Sequence, residues 1–187
     1  MRFAASSFYR PRLWLAGAAL ALSLVVPAFA RDITPDESQA LSAAVDSFNT
    51  AMTGNDFGTL AQTIPPKLFS AMAAQNNRDE ATLRQALTAQ MQETLSQVKI
   101  AKFSMDLDAA EHKEGADGEP FVLIPTVTVI EMNGSKVETD SKTLGLLDGG
   151  KWYLLRVDPS QVVLIKQVYP ALADVTFDPG TTKAVNE

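Results

Sequence analysis

The chain has 187 residues, 46% of them hydrophobic, with 16 Lys and Arg against 22 Asp and Glu and no cysteine. That length supports one domain with its own core. A formal charge of −6 with no basic cluster excludes a nucleic-acid-binding surface, and the lack of cysteine excludes a disulfide scaffold, Cys-ligated zinc and a thiol nucleophile.

Arg2, Arg10 and Arg12 precede an uncharged run from Leu13 to Val26, then Pro27 and the small-residue box Ala28-Phe29-Ala30. This is the three-part build of a secretory signal peptide over residues 1–30, with cleavage expected between Ala30 and Arg31. As a helix the run rises only about 21 Å, short of the roughly 30 Å hydrocarbon core, which favours removal over a retained anchor. Removal leaves 157 residues, and the loss of three Arg and no acid takes the charge from −6 to −9. The expected localisation is periplasmic or secreted, with no membrane contact after cleavage.

The helices come first. Thr34-Pro35-Asp36-Glu37 reads as a capping box, with Pro35 where a missing N–H costs nothing. Leu41, Val45, Phe48 and Met52 follow at helical spacing until Gly54-Asn55. A short helix from Asp56 carries Phe57, Leu60 and Ile64; after Pro65-Pro66, residues Leu68, Phe69 and Met72 suggest further turns to Asn76-Asn77. Asp79 caps the strongest pattern of all: Leu83, Leu87, Met91, Leu95 and Val98, uninterrupted by glycine or proline.

Beyond Val98 the period falls to two. Ala101, Phe103, Met105 and Leu107 alternate with Lys102, Ser104, Asp106 and Asp108. Residues 121–132 are apolar on both faces, and 137–147 and 151–157 complete four strands. Asp117-Gly118, Asn133-Gly134 and Asp148-Gly149-Gly150 join them with hairpin chemistry, which predicts an antiparallel meander. Pro125 belongs at a bulge or bend, since it cannot donate to a ladder. A strand with two apolar faces is covered on both, the second by a closing helix around Val162–Val168 or by another copy of the chain. That closing helix is expected to start at Asp158-Pro159-Ser160-Gln161, and residues 178–187 to form a disordered tail. The fold class is α+β: one domain over 31–177, with N-terminal helices on a curved four-stranded antiparallel meander.

Two stretches carry a resemblance. ALSAAVDSFNTAMTGNDFGTL joins an amphipathic helix to a second one through Gly-Asn-Asp, and LGLLDGGKWYLLRV is a strand, a Gly-rich hairpin and a strand opening on Lys-Trp-Tyr. Over residues 36–158 the chain resembles the nuclear-transport-factor-two-like (cystatin-like cone) superfamily, in particular its small secreted bacterial members of unknown function. It departs from that pattern where the superfamily inserts a short strand before the third helix, because PPKLFSAMAAQNNRD reads as helix. The resemblance implies a bent sheet wrapped around a long helix, leaving an apolar pocket. Members use that pocket as an isomerase, dehydratase or cyclase site, as a binding cavity, or not at all.

The residues offer little chemistry. His112, the single histidine, stands among Asp108, Glu111, Glu114, Asp117 and Glu119 in a spacing that matches no calcium loop, so a solvated hairpin loop is expected and no metal or cofactor is called for. Gly-x-Ser-x-Gly and phosphate-cradling glycine patterns are missing, and no catalytic residue is assigned. Trp152 is expected to be a core plug against the long helix. The leading expectation is an exported, non-catalytic binding or accessory domain that holds a small apolar ligand in a pocket lined by Phe48, Leu87, Met91, Phe103, Met105, Leu123 and Trp152. The alternatives are a cofactor-free isomerase, dehydratase or cyclase, and a protein-interaction module forming a homodimer through the sheet face. A carboxylate buried beside Tyr153 or Tyr169 in a cavity would favour the enzyme; a filled interior would favour the interaction module.

Overall fold

The computed structural model describes residues 31–185; the signal peptide expected at 1–30 lies outside the described residues, as do residues 186–187. Helix α1 (Pro35–Gly54) starts on the capping box: the Thr34 hydroxyl accepts from the Glu37 N–H at 3.2 Å, and the Glu37 carboxylate accepts from the Thr34 N–H at 2.8 Å. It stops at Asn55, whose left-handed backbone (φ 55°) lets its N–H reach the Ala51 carbonyl. Asp56 caps α2 (Phe57–Gln62) through Thr59, Pro66 opens α3 (Pro66–Gln75), and Asp79 caps α4 (Glu80–Ser96) through Thr82.

The sheet follows as β1 (Lys99–Met105), β2 (Glu111–Glu114), β3 (Pro120–Met132), β4 (Ser135–Asp148), β5 (Lys151–Arg156) and β6 (Thr181–Val185). All pairings are antiparallel, in the order β1-β3-β4-β5, with β2 extending β1's side of β3 and β6 extending β5's side of β4. The result is α+β: helices on a curled antiparallel sheet that forms a half-barrel. Asn133 and Gly134 turn β3 into β4 with φ values of 53° and 77°, the conformation a two-residue hairpin needs.

Four expectations are corrected. The meander has two more strands than the four anticipated: the loop around His112 contains β2, with His112 opposite Val122. Residues 181–185 of the supposed disordered tail form β6, whose Lys183 sits between Glu138 at 2.8 Å and Asp140 at 3.3 Å. An exposed strand held by charge and ladder bonds leaves no apolar alternation to read. Pro125 sits at neither a bulge nor a bend of the ladder, since the β3–β4 register runs unbroken through Pro125↔Lys142. Its carbonyl accepts from the Asp106 N–H at 2.9 Å, so its ring nitrogen faces the gap where β1 gives way to β2 and no ladder bond is lost. The closing helix α5 (Val162–Val168) begins later than expected, because Asp158 accepts from Ser160 and builds a turn over 158–161.

The sheet has an inner and an outer face. Val122 and Ile124 of β3, Leu147 of β4, and Trp152 and Leu154 of β5 face inward and pack on Leu41 and Val45 of α1. Phe121, Leu123, Leu144, Leu146 and Leu155 face outward under Ile165 of α5 and Leu172 of the 3-10 turn Pro170–Leu172. Of the two covers anticipated for a strand apolar on both faces, the closing helix is therefore the one present over Phe121–Leu123. Gly145 lies on the inner face opposite Val122; a Cβ there would run into the Val122 side chain, so the missing side chain makes room for that valine.

Trp152 is a core plug, but against α1 rather than the longest apolar pattern. Its indole N–H donates to the Glu37 carbonyl at 2.8 Å, tying the first turn of α1 to β5. Helix α4 packs on α2 and α3 instead of on the sheet. Leu83 is buried with Phe69 and Ala73 of α3, while Arg84 lies over the Phe69 ring and donates to the Ala61 carbonyl at 3.0 Å.

Candidate functional site

Because α4 is pinned to α2 and α3 through its N-terminal half, its C-terminal half stands off from the sheet. Between the two lies a cavity of about 570 Å³, within the range of small-molecule sites. Its helical walls are Phe48 and Met52 of α1, Ile64 after α2, Met72 of α3, and Met91 and Leu95 of α4. Its floor is the inner face of the half-barrel: Ile100 and Phe103 of β1, Thr126, Thr128 and Ile130 of β3, Ser141 and Thr143 of β4, and Leu154 of β5. Phe48 and Phe103 stack across the junction, their ring centroids 5.6 Å apart. Most of these apolar side chains are half-buried rather than buried. Their partial exposure marks apolar surface that the packing of the helices on the sheet leaves uncovered. Thr126 and Thr143 are buried, and their hydroxyls bond each other at 2.8 Å.

The residues expected to line a pocket are divided by the fold. Phe48, Met91 and Phe103 line the cavity. Leu87 packs against Phe69, Ala73 and Leu83; Met105 and Trp152 belong to the cluster under α1; Leu123 is on the outer face with Leu146 and Ile165. Reading missed the contribution of α2, α3 and the 160–164 segment. The alternating Thr126-x-Thr128-x-Ile130 on β3 was a legible signal, since threonines on the covered face of a strand need either a partner or open space.

A second concave feature, of about 300 Å³, lies at the β4–β5 turn on the outer face. The Asp148 side chain, 11% exposed, accepts from Lys67 Nζ at 2.7 Å on one oxygen and from the Tyr169 hydroxyl at 2.9 Å on the other. Burial, and then the bond to Asp148, push the Tyr169 hydroxyl pKa well above its usual value, so it stays protonated. An acid–donor pair of the kind sought in the sequence thus exists, as Asp148 with Tyr169. It joins α3, the β4–β5 turn and the end of α5 on the face opposite the apolar cavity.

A larger open groove of about 810 Å³ runs outside α4, lined by polar residues such as Asp56, Gln92 and Lys99. It shares Leu95, Val98 and Ile100 with the cavity wall. Near residue 31, the Arg31 guanidinium is bonded by both Glu37 oxygens at 2.9 Å, and its backbone N–H donates to Glu114 at 2.8 Å. The Arg31 bond, followed by the Thr34 N–H, lowers the Glu37 pKa to about 2. On the remaining outer face Lys99 pairs with Glu131, and Glu111 with Lys142 and Lys113. No described helix is long and apolar enough to cross a membrane.

No protein-family model, curated protein or solved structure matches this chain. The cavity and its lining therefore carry the functional argument.

Proposed function

We propose that the chain is an exported binding or accessory domain of cone-like fold that holds a small apolar molecule between α4 and the inner face of the half-barrel. The observation that carries this reading is the 570 Å³ cavity with Phe48, Met52, Met91, Phe103 and Leu154 on its walls. A cavity of this size that opens to solvent has wetted apolar walls, and a ligand of matching chemistry removes that surface from water. The thioethers of Met52, Met72 and Met91 can re-pack around different shapes. The helix-over-curled-sheet arrangement supports membership of the nuclear-transport-factor-two-like cone superfamily. Export rests on the leader sequence. Cleavage after Ala30 would convert the Arg31 nitrogen into an ammonium facing Glu114, which favours the processed form.

The test is titration of the purified protein with the environment-sensitive dye N-phenyl-1-naphthylamine. Saturable 1:1 binding that is weakened in Met91→Trp, where the larger indole narrows the cavity, supports the reading; no saturable binding overturns it. N-terminal sequencing of protein recovered from its source tests the export step, with Arg31 as the expected first residue.

A cofactor-free isomerase, dehydratase or cyclase has one observation in its favour, the Asp148–Tyr169 pair. Both Asp148 oxygens are engaged, one of them by a lysine, and the pair faces away from the apolar cavity. A general base needs a free lone pair aimed at substrate, so these contacts fit a clamp between elements better than a reaction centre.

A further inference from the structure

The polar side chains of the apolar cavity are unevenly placed. Arg156, Ser160 and Gln161 line it and are all exposed, as are Gln75 and Thr94, so the cavity opens to solvent, and Arg156 is the one charged residue of its lining among the described residues. Deeper in, Met52, Met91, Phe103 and Ile130 are half-buried and Leu154 is buried. The interior hydroxyls of Thr126 and Thr143 bond each other, and Thr128 and Ser141 add two half-buried hydroxyls, so the depth of the cavity offers neutral hydrogen-bonding groups and no charge. Discrimination falls to the mouth.

Arg156 points along the inner face from β5, paired with Thr143 of β4. It makes no ion pair or hydrogen bond among the described residues. Its acidic neighbour Asp158 accepts from the Ser160 hydroxyl at 2.7 Å and the Ser160 N–H at 2.9 Å. Those bonds, with a smaller contribution from the Arg156 charge, hold the Asp158 carboxyl below its usual range. One Asp158 oxygen is thus committed to the 158–161 turn, and the Arg156 guanidinium, held near Asp158 by charge alone, keeps its hydrogen-bond donors for another acceptor. A fork of that shape matches a carboxylate held by two parallel N–H bonds.

We propose that the ligand is a single-chain amphipathic carboxylate of the fatty-acid type, with its tail among Met52, Met91, Phe103 and Leu154 and its head group on Arg156. The proposal rests on the cavity-binding reading and adds the charge and shape of the ligand. A flexible chain suits walls of thioether and aromatic side chains with no fixed polar contacts between them. An anionic head suits a mouth whose guanidinium makes no hydrogen bond among the described residues.

The test uses displacement of N-phenyl-1-naphthylamine by three probes with the same tail, each below its micellar concentration: laurate, dodecanol and dodecyltrimethylammonium. The expected result is laurate roughly tenfold tighter than dodecanol, as one charge-assisted bond at a wet mouth contributes, with the ammonium weakest. Arg156→Gln, at an exposed position, should keep the melting temperature and the dodecanol affinity while bringing laurate down to dodecanol. Equal affinities for laurate and dodecanol, or a laurate preference that survives Arg156→Gln, would overturn the head-group assignment and leave the cavity reading standing. Dye binding that none of the three probes displaces would overturn it as well. Failure of the dye itself to bind removes the cavity reading, and this proposal with it.

Discussion

At the scale of single residues, Gly145 and Glu37 make the sharpest tests. Gly145→Ala puts a methyl group into the fully buried Val122. A core that cannot yield loses about 1–3 kcal/mol on such overpacking, measured as a lower urea midpoint at unchanged slope. Glu37 is tested by acid. Its carboxyl titrates at about 2 in the folded chain against an ordinary value of 4.5. The folded state therefore binds fewer protons between these values, and the Glu37 contribution is complete above pH 4.5 and fades as pH falls toward 2. The melting temperature of Glu37→Gln should lie below that of the parent at pH 6 and converge on it by pH 2. Equal gaps at both pH values would show that the Arg31 contact contributes nothing. Both the capping box and its arginine partner lie within seven residues of chain, which is why the box was legible in the sequence. The Arg31–Glu37 bond was not, because it depends on the path of residues 31–33.

At the scale of elements, α4 divides into an anchor and a wall. Leu83 is buried on Phe69 and Ala73, whereas Met91 faces open space. Leu83→Ala should cost about 2–4 kcal/mol, and Met91→Ala clearly less, because part of its side chain has no partner to lose. Chemical denaturation of the two variants compares them directly, and equal losses would mean that Met91 is packed and the cavity closed. Asp148 is the clamp between three other elements. A double-mutant cycle of Asp148→Asn with Tyr169→Phe should give a coupling of about 1–2 kcal/mol from their half-buried, charge-assisted bond. The Lys67 arm, with its lysine 64% exposed, should add little. Periodicity revealed the apolar stripe of α4 but not its use, since the same stripe serves for a packed core or a cavity wall. The seven residues picked as lining share apolar character, yet Leu123 faces outward and Trp152 sits beneath α1. Alternation assigns a strand residue to a face; it does not say which helix covers that part of the face. The strands β2 and β6 escaped because their residues are charged or exposed along most of their length, so ladder bonds and ion pairs, not burial, hold them.

At the scale of the whole molecule, the helices roof one side of the half-barrel and α5 closes part of the other. The outer surface left over is occupied by ion pairs around Lys99, Lys142 and Lys183. Burying those pairs against a second copy would cost desolvation that their attraction offsets poorly, so light scattering after size exclusion should show a monomer. A dimer would move the sheet-face interaction module from an alternative to the leading place. The roofed side makes the more demanding prediction. The cavity of about 570 Å³ is large enough for a small molecule, and any molecule that enters the folded chain and ignores the unfolded one must raise the melting temperature by mass action. At a free concentration one hundred times its dissociation constant, a ligand adds about 2.7 kcal/mol, which in a domain of this size moves the midpoint by roughly 5–10 °C. Laurate should produce such a shift in the parent protein and a smaller one in Met91→Trp, where the indole takes part of the space. Met91→Trp should itself melt above the parent when no ligand is added, because the new ring covers apolar wall from within. A variant that melts lower and responds to laurate as fully as the parent would place the bound chain outside this cavity, on the groove flanking α4, and would move the functional argument there.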